Sequence, residues 1–233
     1  MSAIFKREFK SYFLNPIGYI ALTAAVFFSG LFFASMLGYG YSEIGYVFQN
    51  MFTIVLILTP ILTMRLFSED RRQKVDRAIF TAPIGTAAVV LGKFFATLCF
   101  FMLMFAPTVI YELVLSGFTK VDLLGYLSDI IGALLLGASL VSIGIFVSSL
   151  TESQVVAAIG SFAVSFFLLM LDTLSDTFSA KFVSTAADAV SFSKRYLSFI
   201  NGQLELSNIV FFLSFTALFI GLTVTALENR RRG

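Results

Sequence analysis

Histidine is absent from this chain of 233 residues, and cysteine occurs once, as Cys99 within an apolar run. No internal disulfide can form, and the ligand sets of metal centres and the usual general base of hydrolytic sites are missing, which sets aside most enzyme classes. Catalytic serine patterns are missing too: no G-x-S-x-G occurs, and Ser148-Ser149 has no histidine to serve it. A phosphate-cradling P-loop needs G-x-x-x-x-G-K-[ST], yet Gly92-Lys93 is followed by Phe94 and position 87 is Ala, so the chain is not expected to bind or hydrolyse ATP. Charge is also scarce. Only 13% of residues are charged against 58% hydrophobic, and the mean hydropathy of +0.92 belongs to a membrane-embedded chain. Nothing points to nucleic acid.

What is there is a set of long apolar runs. A bilayer core takes about 20 apolar residues in helix, and six stretches approach this: 16–37, 46–64, 93–115, 125–147, 155–171 and 207–227. The first is too long for a signal-peptide core and lacks a cleavage site, so it is expected in the mature protein. The expected fold is an all-α membrane protein forming one domain over 1–233. Six crossings put both termini on one side. Sorting the sixteen Lys and Arg residues by that topology leaves only Lys120, Lys181, Lys194 and Arg195 on the other, so the termini are expected in the cytoplasm. Small-residue spacings such as Ala133 with Gly137 and Gly144 with Ser148 predict close helix packing within the chain, and Ser139, Ser142 and Thr108 are candidates for bonds between helices.

Three segments do not span. The N-terminal "SAIFKREFKSYFLNP" sets Phe5, Phe9, Tyr12 and Phe13 on one arc and Lys6, Arg7 and Lys10 on the opposite one, the pattern of an interfacial helix that Asn15-Pro16 should break. Between the second and third runs, Ser68 is a candidate N-cap, Asp70 with Lys74 and Arg72 with Asp76 are opposite charges at i,i+4, and Val75, Ala78, Ile79 and Ala82 form a narrow apolar stripe. Pro83 and Gly85 turn the chain, and Thr86 could cap the helix leading into the third run. The stripe suits either lipid headgroups or a groove on a soluble partner. The segment 172–206 repeats apolar residues at helical spacing (Leu174, Phe178, Phe182; Phe192, Tyr196, Phe199) and predicts short helices at the outer leaflet. Only Glu112 and Asp129 bring carboxylates near the spans, both towards their outer ends, where outer-interface positions or a mutual polar contact are the expectation and contact with a substrate is the lesser alternative.

Taken in order, "FKREFKSYFLNPIGYI", "TPILTMRLFSEDRRQKVDRAIFTAPI", "VVLGK" and "SIGIFVSSLTESQVVAA" resemble the ABC-2 type transporter permeases, in particular the gliding-motility (Gld-type) branch, over Phe5 to about Ala158. The resemblance implies an amphipathic elbow helix over 3–14, with Phe5, Lys6, Arg7, Phe9 and Lys10. It also implies six transmembrane helices and a cytosolic coupling helix over 72–81 that docks on a separate ABC ATPase. Residues Arg72, Val75, Asp76, Ala78, Ile79 and Ala82 would form the docking face, and the turn Ser148 to Ser153 would be a minor contact. Where many relatives carry Gly-Thr at the start of that helix, this chain has Lys74-Val75. No cofactor is expected on the chain itself, ATP and magnesium residing on the ATPase. A second permease subunit, an auxiliary membrane protein with an extracytoplasmic domain, and a bacterial inner-membrane location complete the expectation. The rival reading is a membrane scaffold that passes ATPase-driven motion to an outer partner without moving solute.

Overall fold

A computed structural model describes residues 1–41, 43–74, 85–118, 122–177 and 191–232. Among them the chain is helical, without strands. In chain order the helices are α1 (Ser2–Leu14), α2 (Pro16–Gly38), α3 (Gly45–Thr63), α4 (Ser68–Arg72), α5 (Thr86–Leu103), α6 (Pro107–Ser116), α7 (Leu123–Leu150), α8 (Gln154–Thr177), α9 (Phe192–Ile200) and α10 (Leu206–Arg232). Among the described residues five stretches are long and apolar enough to cross a membrane: Pro16–Gly38, Gly45–Arg72, Thr86–Ser116, Leu123–Leu150 and Leu206–Arg231. The expected span at 155–171 falls in α8, where Gln154–Leu168 is a shorter apolar helix.

Local chemistry explains the boundaries. Asn15 is extended (φ −111°, ψ 138°), as the residue before a proline prefers to be, Pro16 opens α2, and the Asn15 side chain accepts the Ile17 N–H at 3.3 Å. The expected break is therefore present. The third run departs from expectation twice. Its helix begins at Thr86, seven residues before the expected 93, so that Lys93 lies inside it. It is also interrupted over Met104–Ala106, where N–H groups turn to the i−3 carbonyl, because Pro107 has no N–H to continue the ladder and instead starts α6.

The core is organised around α7, which packs against α3, α5, α8, α9 and α10. Gly137 faces the Phe101 ring and Gly144 faces Thr63 so closely that a Cβ at either would overlap the neighbour. Ser139 donates to the Phe212 carbonyl at 3.2 Å, and Thr108 meets the Tyr126 hydroxyl at 3.2 Å, so both bond across elements. Ser142 instead bonds to the Ser139 carbonyl of its own helix. The membrane-length windows of α3 and α7 are each 72% buried, whereas those of α2 and α10 are 22% and 17% buried, which places these two on the outside.

The amphipathic α9 buries Phe192, Tyr196 and Phe199, the predicted set, and is capped by Ser191, whose hydroxyl accepts the Lys194 N–H at 3.1 Å. Phe178 and Phe182 lie outside the described residues.

Candidate functional site

Buried charge gathers at one end of the bundle. Lys93 is 1% exposed, and its ammonium lies 2.9 Å from Glu8 Oε1 of α1 and 2.8 Å from Asp70 Oδ2 of α4 while donating to the Leu66 carbonyl. Of the three donors of an ammonium, two meet Glu8 and the Leu66 carbonyl, while Asp70 pairs with it through charge. The Phe67 ring sits 5.1 Å away. Burying an ion costs several kcal/mol unless partners compensate it, and Arg7, paired with Glu8 and 3.6 Å from Asp70, brings the group to two cations and two anions. Burial pushes the Glu8 carboxyl up, but Lys93 and Arg7 outweigh it and hold the group below its ordinary value of 4.5. The Asp70 with Lys74 pairing expected from helical spacing is thus replaced by a long-range one.

Around this ion group a second layer fixes the same elements. Arg65, 6% exposed, donates to Ser11 Oγ at 2.9 Å and lies 5.2 Å from the Tyr12 ring. Tyr12 stacks on Phe100 with 4.4 Å between centroids, and its hydroxyl reaches the Leu62 carbonyl (3.2 Å) and Thr97 (3.0 Å). The hydroxyl of Ser148, on α7, accepts the N–H groups of Phe67 (3.1 Å) and Ser68 (3.2 Å) and donates to the Met64 carbonyl (3.0 Å), using its whole capacity. Ser68 does not cap α4 as expected, because its hydroxyl turns back to the Met64 carbonyl and Ser148 takes the free N–H groups instead. Thr86 does not cap α5 either; its side chain meets Glu228 of α10 at 3.4 Å. Arg71 pairs with Glu152 at 2.9 Å, and Arg230 donates to the Leu150 carbonyl at 3.2 Å. The N-terminal helix, α4, the start of α5 and the ends of α7 and α10 therefore meet at one end, both termini included.

The predicted residues fall as follows. Phe5 and Phe9 stack at 5.8 Å and Phe9 meets Phe13 edge-on at 5.3 Å, while Lys6 and Lys10 are exposed. Arg7 is drawn into the ion group. Arg72 is exposed at the last residue of α4. Val75, Asp76, Ala78, Ile79 and Ala82 lie outside the described residues. Sequence reasoning missed Glu8, Asp70, Lys93 and Ser148 as one assembly. Two signals were present: a lysine within "AAVVLGKFFATL" and a single acid in the N-terminal helix, at the edge of its aromatic arc.

At the opposite end, Glu112 and Asp129 line one cavity of about 1010 Å³ with Glu43, Asp122, Tyr41, Tyr46, Tyr126 and Gln49 among its walls. Asp129 is 2% exposed and its Oδ1 has no hydrogen-bond partner among the described residues. Glu112 and Asp129 thus line the same cavity, and no hydrogen bond joins Asp129 Oδ1 to Glu112.

Residues 33–232 match the family model described as an ABC-2 family transporter protein. The chain belongs to the ABC-2 family of transporter proteins. No curated protein matches its sequence. The match covers α3 to α10 and the last turns of α2, leaving α1 and most of α2 outside it. An ABC-2 protein with this set of apolar helices is a multi-pass membrane permease of ABC transporters, a family that normally works with a cytosolic ATPase. The charged end then gains a meaning that the helices alone do not supply.

Proposed function

We propose that this chain is the transmembrane subunit of an ATP-driven exporter, moved by a separate cytosolic ATPase that docks on the coupling segment over 72–81. The observation that carries this reading is the anchoring on both sides of that segment. Upstream, α4 is tied to α5 by Asp70 with Lys93 and to α7 by Ser148. Downstream, Thr86 is tied to Glu228 of α10. A load on the segment enters a bundle end whose elements are already joined by ion pairs and hydrogen bonds, as a lever requires; coupling also needs an element with two states that both subunits bias.

In this reading the permease has six spans, α8 supplying the one not counted above, and the termini and the charged end are cytoplasmic, in keeping with the Lys/Arg excess there. The helix α1 is the elbow lying along the inner leaflet of a bacterial cell membrane, its Lys6 and Lys10 towards lipid headgroups. ATP and magnesium belong to the ATPase, and the chain hydrolyses nothing itself. The outward α2 and α10 leave room for a second permease subunit, and the resemblance to the gliding-motility branch adds an auxiliary membrane protein with an extracytoplasmic domain.

Co-purification tests the docking. Ile79→Asp places a charge on the apolar stripe and should abolish recovery of the cognate ATPase, while membrane insertion is unchanged. Full recovery of the complex from that variant would overturn the assignment. ATPase stimulation by solute in liposomes separates transport from mere transmission of force: a coupled complex that never responds to solute would be a scaffold.

A further inference from the structure

The cavity at the end opposite the ion group is walled by four carboxylates, and no Lys or Arg stands among the described residues that line it. Three of those carboxylates could rest in water at its mouth: Glu43 and Asp122 are exposed and Glu112 is half-buried. Asp129 cannot. Its carboxylate sits at 2% exposure on the wall, one oxygen has no partner, and on its other side lies the backbone of Gly45, a Cβ on which would stand 3.9 Å from Oδ2. An ionised carboxylate so placed costs several kcal/mol unless a positive charge comes to it.

The size and spacing of the walls decide what kind of cation. Among the described residues no three Asp, Glu, His or Cys side chains converge as metal ligands do. A volume of about 1010 Å³ is that of a small-molecule pocket rather than an ion site. Aromatic faces line it as well, with Tyr41 and Tyr46 stacked at 5.6 Å and Tyr126 on α7 beside Asp129, and such faces attract alkylated ammonium groups. We infer that this cavity binds an organic cation carrying more than one ammonium group, one of them on Asp129 and another towards Glu112 and Asp122. The site lies on α3, α6, α7 and the end of α9, so it is independent of the coupling reading and is tested on the permease alone.

The probe is spermidine, a linear polyamine, titrated by calorimetry into the full-length protein in nanodiscs of zwitterionic lipid at moderate salt. Saturable binding is expected, with a neutral polyol of similar length inert and an equal concentration of magnesium failing to displace the polyamine. Asp129→Asn keeps the shape and removes the charge; it should weaken binding by about tenfold or more, the scale of one lost ionic contact, with an unchanged elution profile. Glu112→Gln should weaken it less. Absence of saturable binding would overturn the inference and leave Asp129 a protonated buried acid. Displacement by magnesium, or affinity unchanged in the variants, would overturn it equally. Should Asp129→Asn fail to fold, Glu112→Gln decides alone, since its side chain is only half-buried.

Discussion

The two ends of this helix bundle treat buried charge in opposite ways. At the end that holds the termini, Lys93 is enclosed but meets Glu8, Asp70 and a backbone carbonyl, so the ion pays little for its burial. At the other end Asp129 is enclosed to nearly the same degree and one of its oxygens has no hydrogen-bond partner among the described residues. A compensated ion joins elements and resists separation. An uncompensated one weakens the fold where it sits, and such a residue persists most readily where something else uses it.

That contrast can be broken by substitution. Lys93→Met leaves Glu8 and Asp70 buried without their counter-ion and should cost about 3–5 kcal/mol. The thermal midpoint of the detergent-solubilised protein would fall sharply, and adding Glu8→Gln with Asp70→Asn should restore part of the loss, since the only charge then left in the group is the half-exposed Arg7. Ser148→Ala removes the acceptor of two buried N–H groups, a loss of about 1–3 kcal/mol, read as faster proteolysis around α4. Acid offers a milder probe of the same end. Because the Glu8 carboxyl is held below 4.5, its stabilising pairing is complete above that pH and is lost as pH falls through the lowered folded value. Dissociation of α1, followed by fluorescence of a label on Lys6, should set in only in that acidic window, and in Glu8→Gln, which lacks the charge at every pH, its pH dependence should disappear. Smallest of all, Asp129→Asn should leave the stability within about 1 kcal/mol of the parent or raise it, because the charge it removes is buried with one oxygen unbonded. A drop as large as that of Lys93→Met would erase the distinction between the two ends.

How far this could be read from residues alone varied with the range of the interaction. Apolar runs, the Asn15-Pro16 break and the α9 stripe are local patterns, legible because helix period and proline geometry act within a few residues. Pro107 carried an equally local signal, and the interruption at Met104–Ala106 follows from it, yet the hydropathy of the surrounding run concealed it. The ion group was illegible for another reason. Helical spacing offered Asp70 a partner four residues away, but Lys93, on a different helix and shielded from water, binds it in a less polarisable setting where the same charges attract more strongly. Likewise Ser148 displaces Ser68 as the partner of the α4 N–H groups from eighty residues away. The acidic cavity was half visible: Glu112 and Asp129 stood out as carboxylates near spans, but Glu43 joins them only once α3 and α7 are packed.

The sequence separation inside the ion group also sets an order of assembly. Glu8 and Asp70 emerge from the ribosome before Lys93, which lies 85 residues after Glu8. Until α5 enters the bilayer, the first helix is held by its aromatic ladder, by Arg7 and by the bonds of Ser11 with Arg65 and of Tyr12 with the Leu62 carbonyl, and the two acids must stay hydrated. Arrival of a single lysine then lets water leave, so the ion group can close once the start of the third hydrophobic stretch has emerged, before Ser148 and Glu228 complete the end.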